Sequence, residues 1–144
     1  MSIQDEPLDS PVAWVAEHAQ RYVATDGEDG HLWHGVPTLV LITMGRRSGK
    51  PRRTMLIYGR DGDHYLVVAS KGGAEQDPLW YLNLQEQPEV QVQVGAEHFS
   101  ARARTATAEE KSRLWPLMTA ILPAYDEYQT KTSRAIPVVI LERS

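Results

Sequence analysis

Between two apolar runs, Leu39-Val40-Leu41-Ile42 and Met55-Leu56-Ile57-Tyr58, lies the stretch Met44-Gly45-Arg46-Arg47-Ser48-Gly49-Lys50-Pro51-Arg52-Arg53, with five cationic side chains inside eight residues. Guanidinium groups grip phosphate or carboxylate oxygens in bidentate fashion, and Gly45 and Gly49 let backbone N–H groups approach a ligand closely. The chain has a formal net charge of −4, and these five are a third of its 15 Lys and Arg. A basic concentration set against the global sign points to a polyanionic ligand. The competing reading is a solvated hairpin tip that keeps the chain soluble. A P-loop is excluded, because that motif needs four residues between its glycines and Ser or Thr after its Lys. Here three residues separate Gly45 from Gly49, and Pro51 follows Lys50.

The flanking runs must hold this turn at the end of a strand pair. Pro37 to Met44, Thr54 to Arg60 and His64 to Ser70 are rich in Val, Ile, Leu and Tyr, and Asp61-Gly62-Asp63 supplies a turn between the last two, so the spacing predicts a meander. Val90, Val92 and Val94 alternate with Gln91 and Gln93, and Phe99, Ala101 and Ala103 alternate with Ser100, Arg102 and Arg104. That is a half-buried antiparallel pair. The last run, Ile136 to Leu141, is almost wholly apolar and is expected at the centre of the sheet. The fold class is therefore mainly β with inserted helices (α+β), a compact barrel of about six antiparallel strands.

Helical signals surround the strands. Ser10-Pro11 reads as a helix start with Ser10 as cap, and Val12, Val15, Ala16, Ala19, Tyr22 and Val23 form one apolar stripe. Trp14 lies off that stripe near His18 and Arg21; a rim contact with the core is favoured over a contact with ligand, partner or membrane surface. His31 and His34 have the spacing of a metal pair on a helical turn but no third ligand nearby, and they read as surface histidines. A helix from Asp77 or Pro78 to about Gln87 should turn Leu79, Leu82 and Tyr81 inward, with Pro88 beyond its end. Thr107 and Glu110 have capping-box spacing, Pro116 bends the following helix or starts a second, and Tyr125 and Tyr128 share one face of a short helix from Pro123.

The chain of 144 residues fits one domain, divided as an N-terminal helix and loop extension (1–35) and a barrel (36–144). Without cysteine, thiol catalysis and thiolate metal sites are excluded, so redox chemistry must come from a cofactor; no metal site is expected. The acidic, polar start at Met1–Pro7 is unlike a signal peptide, and no run approaches the ~20 apolar residues of a membrane span. The expected setting is cytoplasmic, with peripheral membrane association through the N-terminal helix as the further option. An overall acidic balance argues against nucleic acid as a partner.

Five motifs in a fixed order resemble the deazaflavin-dependent nitroreductase family from about residue 37 to the end: Gly45-Arg46-Arg47-Ser48-Gly49-Lys50-Pro51-Arg52, Ala69-Ser70-Lys71-Gly72-Gly73, Asp77-Pro78-Leu79-Trp80-Tyr81-Leu82-Asn83-Leu84, Tyr125-Asp126-Glu127-Tyr128-Gln129, and Arg134-Ala135-Ile136-Pro137-Val138-Val139. The resemblance implies a split β-barrel related to flavin-mononucleotide-binding oxidoreductases. It implies the 8-hydroxy-5-deazaflavin coenzyme F420, whose phosphate and polyglutamate tail are the polyanion that the basic turn suggests. By position, Arg46, Arg47 and Arg52, with Lys50 and Arg53 beside them, would match the family's phosphate and tail contacts. Ser70 and Lys71 would lie along the cofactor, Asn83 would hydrogen-bond it, and Tyr125 and Tyr128 would flank ring and substrate, either of them or water supplying a proton. Where the family often has a third tyrosine, this chain has Leu122, which favours bulky apolar acceptors over nitroimidazoles. The implied activity is hydride transfer from reduced F420 to a small electron-poor conjugated acceptor, with a separate dehydrogenase re-reducing the coenzyme. The alternatives are a flavin-mononucleotide reductase on the same barrel and a non-catalytic F420 carrier.

Overall fold

The computed structural model describes residues 7–144; the acidic stretch before Pro7 lies outside them. Eight strands form one sheet: β1 (Leu32–Trp33), β2 (Val36–Met44), β3 (Pro51–Ile57), β4 (Gly59–Asp61), β5 (His64–Val68), β6 (Glu89–Val94), β7 (Glu97–Thr105) and β8 (Val138–Arg143). Their order is β1-β2-β6-β7-β8-β5-β4, with β3 also pairing β2. All the strand pairs are antiparallel. The sheet has eight strands rather than six. One addition is the short β1, and the other arises because the expected strand 54–60 breaks at the buried Tyr58. Its first half pairs with β2 and its second with β5. Since β2 and β5 lie toward opposite ends of the strand order, this bent segment curls the sheet into a half-barrel, where a plain meander would have left it open.

The period-2 pattern divides the apolar residues between two cores. Tyr65 and Val67 of β5 and Val139 and Leu141 of β8 point into the barrel with Leu39, Val92 and Phe99. Leu66 and Val68, with Val138 and Ile140, point outward under α3 (Ala108–Ile121) and α4 (Ala124–Thr130), against Leu114, Met118 and Tyr125. Strand β8 is apolar from Val138 to Leu141 because both its faces are buried there, and it sits between β7 and β5 as expected.

The N-terminal helix α1 (Ala13–Ala24) packs on β3 and is anchored by Tyr22, whose buried hydroxyl donates to the Thr38 carbonyl (3.0 Å) and accepts from the Gly95 N–H (2.6 Å). It starts later than Ser10-Pro11 suggests: Val12 is the N-cap, and Ser10 Oγ instead accepts from Val12 N–H. The cause is upstream. Leu8 is paired with β3 through Leu8 N–H to Pro51 and Arg53 N–H to Leu8, and Asp9 is ion-paired with Arg53, so the chain stays extended too long for Pro11 to open the helix. In α2 (Leu79–Glu86) the inward residues are Tyr81, Asn83 and Leu84, while Leu79 is 63% exposed, contrary to its expected inward position.

The capping box of α3 is present, and α3 runs through Pro116 as one helix. Glu110 also receives both Nη groups of Arg104 (2.7 and 2.9 Å), and Arg104 Nε reaches Glu142. Those bonds, Arg104 first and the Thr107 N–H next, hold the Glu110 carboxyl down at about 2 from an ordinary 4.5. A carboxylate depressed on folding stabilises above its unfolded value and stops doing so as pH falls through the folded one. E110Q is therefore expected to be less stable than wild type at neutral pH, with the difference shrinking as pH falls from 4.5 toward 2. Urea midpoints across that range check it; a constant difference would contradict it.

Candidate functional site

The β2–β3 hairpin ends at the pair Met44–Pro51, and the basic residues form the connecting turn. Gly45 N–H bonds the Lys50 carbonyl (2.8 Å) and Gly49 N–H bonds the Gly45 carbonyl (2.8 Å), with Gly49 at φ +68, a conformation that favours glycine. From α2, the buried Asn83 reaches across: its Oδ1 accepts from Arg46 N–H (3.0 Å) and its Nδ2 donates to Thr43 Oγ1 (3.2 Å). The amide fixes the turn's backbone while the turn's side chains stay outside. Arg46, Arg47, Lys50 and Arg52 are all exposed, and none pairs with a carboxylate of the described residues. Arg53 is different, ion-paired with Asp9 beside the groove and mostly buried.

A second wall is the loop after β5. Ser70 has right-handed backbone and Lys71, Gly72 and Gly73 have φ of +46, +63 and +85. That right-to-left succession makes successive N–H groups converge, a nest that suits an anion or an electron-rich oxygen. The loop is tied from behind by Arg134, which precedes β8. Its guanidinium donates to the carbonyls of Ala74 (2.8 Å), Ser70 (2.9 Å) and Ala69 (3.2 Å) and to Asp77 (3.0 Å). Gly73 packs against α4 so closely that a Cβ there would lie 2.7 Å from the Tyr128 carbonyl oxygen. Through it the loop packs directly on the tyrosine helix.

Between these walls runs a cleft. Its apolar part, about 460 Å³, is lined by Trp14, Trp33, Leu56, Leu122, Tyr125 and Tyr128 among others. A second part, about 340 Å³, is lined by Thr43, Arg52 and Asn83. Thr54, Lys71, Pro78 and Trp80 border both, so the two parts are one groove from the basic turn to the tyrosines. The groove therefore brings together Arg52, Ser70, Lys71, Asn83, Tyr125 and Tyr128, with Arg46, Arg47 and Lys50 exposed on the turn beyond its polar end. Tyr125 is buried, with Tyr128 edge-on at 6.2 Å. Burial, and secondarily Tyr128, raises the Tyr125 phenol above its ordinary range, so it remains a hydrogen-bond donor. Trp14, 56% exposed, stacks on Trp33 at 5.8 Å and lines the mouth, so its rim contact is with the cleft and a second tryptophan. His31 and His34 are not on a helical turn; they bracket β1, with His31 bonded to the Tyr58 hydroxyl (3.0 Å) and His34 exposed. Sequence reasoning missed Trp33, whose signal was only an aromatic in a glycine-rich loop, and the role of Arg134, visible in sequence only as part of a motif.

The sequence profile of the F420H(2)-dependent quinone reductases matches residues 14–143. The chain belongs to that family. It is 42% identical over 130 residues to an F420H(2)-dependent quinone reductase of Mycobacterium tuberculosis, covering 88% of this chain and 87% of the relative. Among solved structures, an F420-H2 dependent reductase superposes with a TM-score of 0.69 at 41% identity, over 74% of this chain and 94% of its own. A protein described as a domain-swapped dimer superposes with a TM-score of 0.72 at 39% identity, over 92% of this chain and 100% of its own. Membership agrees with the resemblance read from the five motifs and with the split-barrel expectation. Among the described residues no helix is long and apolar enough to cross a membrane.

In this quinone reductase family member, Arg134 ties the loop that forms one wall of the cleft. R134A leaves carbonyls and a carboxylate in a mostly buried place without a cation. It is expected to lower Tm by roughly 5–10 °C and to speed amide exchange at residues 69–77 ahead of the barrel strands. Hydrogen exchange with mass spectrometry checks this; unchanged protection of that loop would contradict the clamp.

Proposed function

We propose that the protein reduces quinones with hydride from reduced coenzyme F420, which lies along the cleft with its anionic tail on the basic turn and its ring at the apolar end. The observation that carries this reading is the continuity of one groove from exposed cations lacking carboxylate partners among the described residues to an aromatic cavity with phenol donors. Those residues fit the coenzyme: Arg46, Arg47, Arg52 and Lys50 would hold phosphate and polyglutamate, the Ser70–Lys71–Gly72 nest would take an electron-rich edge of the ring, and Asn83 would keep the turn in place and offer its remaining N–H. When bound, the coenzyme supplies a hydride from C5 of its ring and little one-electron chemistry. The chain's own contributions are position, water exclusion and hydrogen bonding. Tyr125, kept protonated, and Tyr128 would donate to the oxygen that gains charge as the acceptor is reduced. Leu122, with the exposed Trp14 and with Trp33 at the mouth, suits an acceptor with a bulky apolar substituent, and the exposed Trp14, Val12 and Leu32 suit the membrane surface from which such a quinone is drawn. A separate dehydrogenase would return the coenzyme to its reduced form.

Two readings remain to be separated from this one. A flavin-mononucleotide reductase would need one phosphate site, fewer than the free cations here, and a carrier would bind without turnover. Fluorescence titration with oxidised F420 beside flavin mononucleotide addresses the first. Selective binding that weakens with salt, and by more than tenfold when Arg46, Arg47 and Arg52 are all changed to Ala, is expected; preference for flavin mononucleotide would contradict it. Turnover of a quinone panel addresses the second. The double change Tyr125→Phe, Tyr128→Phe is expected to lower kcat by ~100-fold with coenzyme affinity little altered, and full retention of kcat would remove the phenols from the mechanism.

A further inference from the structure

His18 lies on the inner face of α1 and lines the apolar part of the cleft. It is only 4% exposed. Its Nε2 is 2.7 Å from the Gly30 carbonyl, which also accepts from Thr38 Oγ1 (2.8 Å). A carbonyl only accepts, so Nε2 carries a proton whatever the state of the rest of the ring. The Cδ2–Nε2 edge faces Gly30, where a Cβ would sit 3.0 and 3.2 Å from those atoms. The Nδ1 edge is thereby turned away. No hydrogen bond to Nδ1 is made by the described residues. The cavity that the ring lines is the apolar part of the cleft. The imidazole is thus anchored through one nitrogen and uncommitted at the other, in a cavity that also presents Lys71 and two phenols.

We propose that His18 Nδ1 contacts the acceptor's oxygen and delivers the proton that completes its reduction. This rests on the quinone-reductase reading of the same cleft. Hydride addition leaves the acceptor with an anionic oxygen. That oxygen forms an O–H bond with the Nδ1 proton of the doubly protonated ring as the Nδ1–H bond breaks, and the ring remains neutral with Nε2–H on Gly30. Solvent reprotonates Nδ1 after product leaves. The other titratable groups lining the apolar part of the cleft are Lys71, Tyr125 and Tyr128, and Asp9, ion-paired with Arg53, lines the polar part with Arg52; on the core side Tyr22 packs 6.5 Å from the ring, with His31 beyond it. Tyr125 is poorly suited to release a proton because its burial raises its pKa.

The test separates anchor from proton. Gln places its amide nitrogen where the imidazole Nε2 sits and has no counterpart of Nδ1, so H18Q keeps the Gly30 bond. Expected for H18Q are a kcat lower by ~100-fold, a KM within a few-fold, and loss of the alkaline fall in rate that a general acid produces. The second measurement is nitrogen NMR of histidine-labelled wild type holding oxidised F420, titrated with a water-soluble naphthoquinol. The Nδ1 resonance of His18 should move and its Nε2 resonance should not. Unchanged kcat and pH profile in folded H18Q, or a static Nδ1 while tryptophan fluorescence reports the quinol bound, would overturn the proposal. Absence of quinone turnover by wild type would overturn the reading beneath it, and the NMR shift alone then decides whether Nδ1 contacts the ligand.

Discussion

The guanidinium of Arg134 collects the carbonyls of Ala69, Ser70 and Ala74 and the carboxylate of Asp77, and the shape of the cleft depends on it. Carbonyls drawn to one cation behind the loop allow the N–H groups of a right-to-left backbone to face the other way. The same bonds fix the start of the segment that leads into α2, hence where Asn83 can reach. Arg134 is itself held by its neighbours: Gln129 of α4 donates to its carbonyl (2.7 Å) and accepts from Ile136 N–H (3.0 Å). The tyrosine helix, the nest and the entry to β8 therefore share one hydrogen-bonded frame. A lysine could meet only part of it, because it lacks the planar fork.

A second constraint is the division of charge. The cations near the cleft fall into two kinds. Arg53 and Arg134 are paired and mostly buried, and they shape backbone; Arg46, Arg47, Lys50 and Arg52 are exposed without carboxylate partners among the described residues, and they leave a field at one end of the groove. The other end is mostly aromatic and aliphatic, with two phenols and one imidazole among its polar groups. A molecule with an anionic tail and a flat conjugated ring has a single sensible orientation in such a groove.

Much of this was legible in the sequence where the signal is local. Five cations between two apolar runs marked the turn, strict alternation marked β6 and β7, and Thr107 with Glu110 marked the start of α3. What was not legible depends on partners far along the chain. The break at Tyr58 follows from β3 and β4 having different neighbours, a matter of register that no window shows. The delayed start of α1 follows from Leu8 and Asp9 being held by β3, which overrides the Ser10-Pro11 signal. Leu79 faces out because α2 is rotated to bring Asn83 to the turn. The site residues emerged as a set only through their joint order; singly, Ser70, Asn83 and Arg134 read as ordinary loop and helix positions.

The most direct measurement is a crystal structure with oxidised F420 bound. The tail should lie over Arg46, Arg47 and Arg52, and the ring should lie beside the Ser70–Gly72 loop with Tyr125 and Tyr128 within reach of its open face. A coenzyme bound outside the groove, or with its ring toward the turn and its tail toward the tyrosines, would contradict the assignment of the two ends.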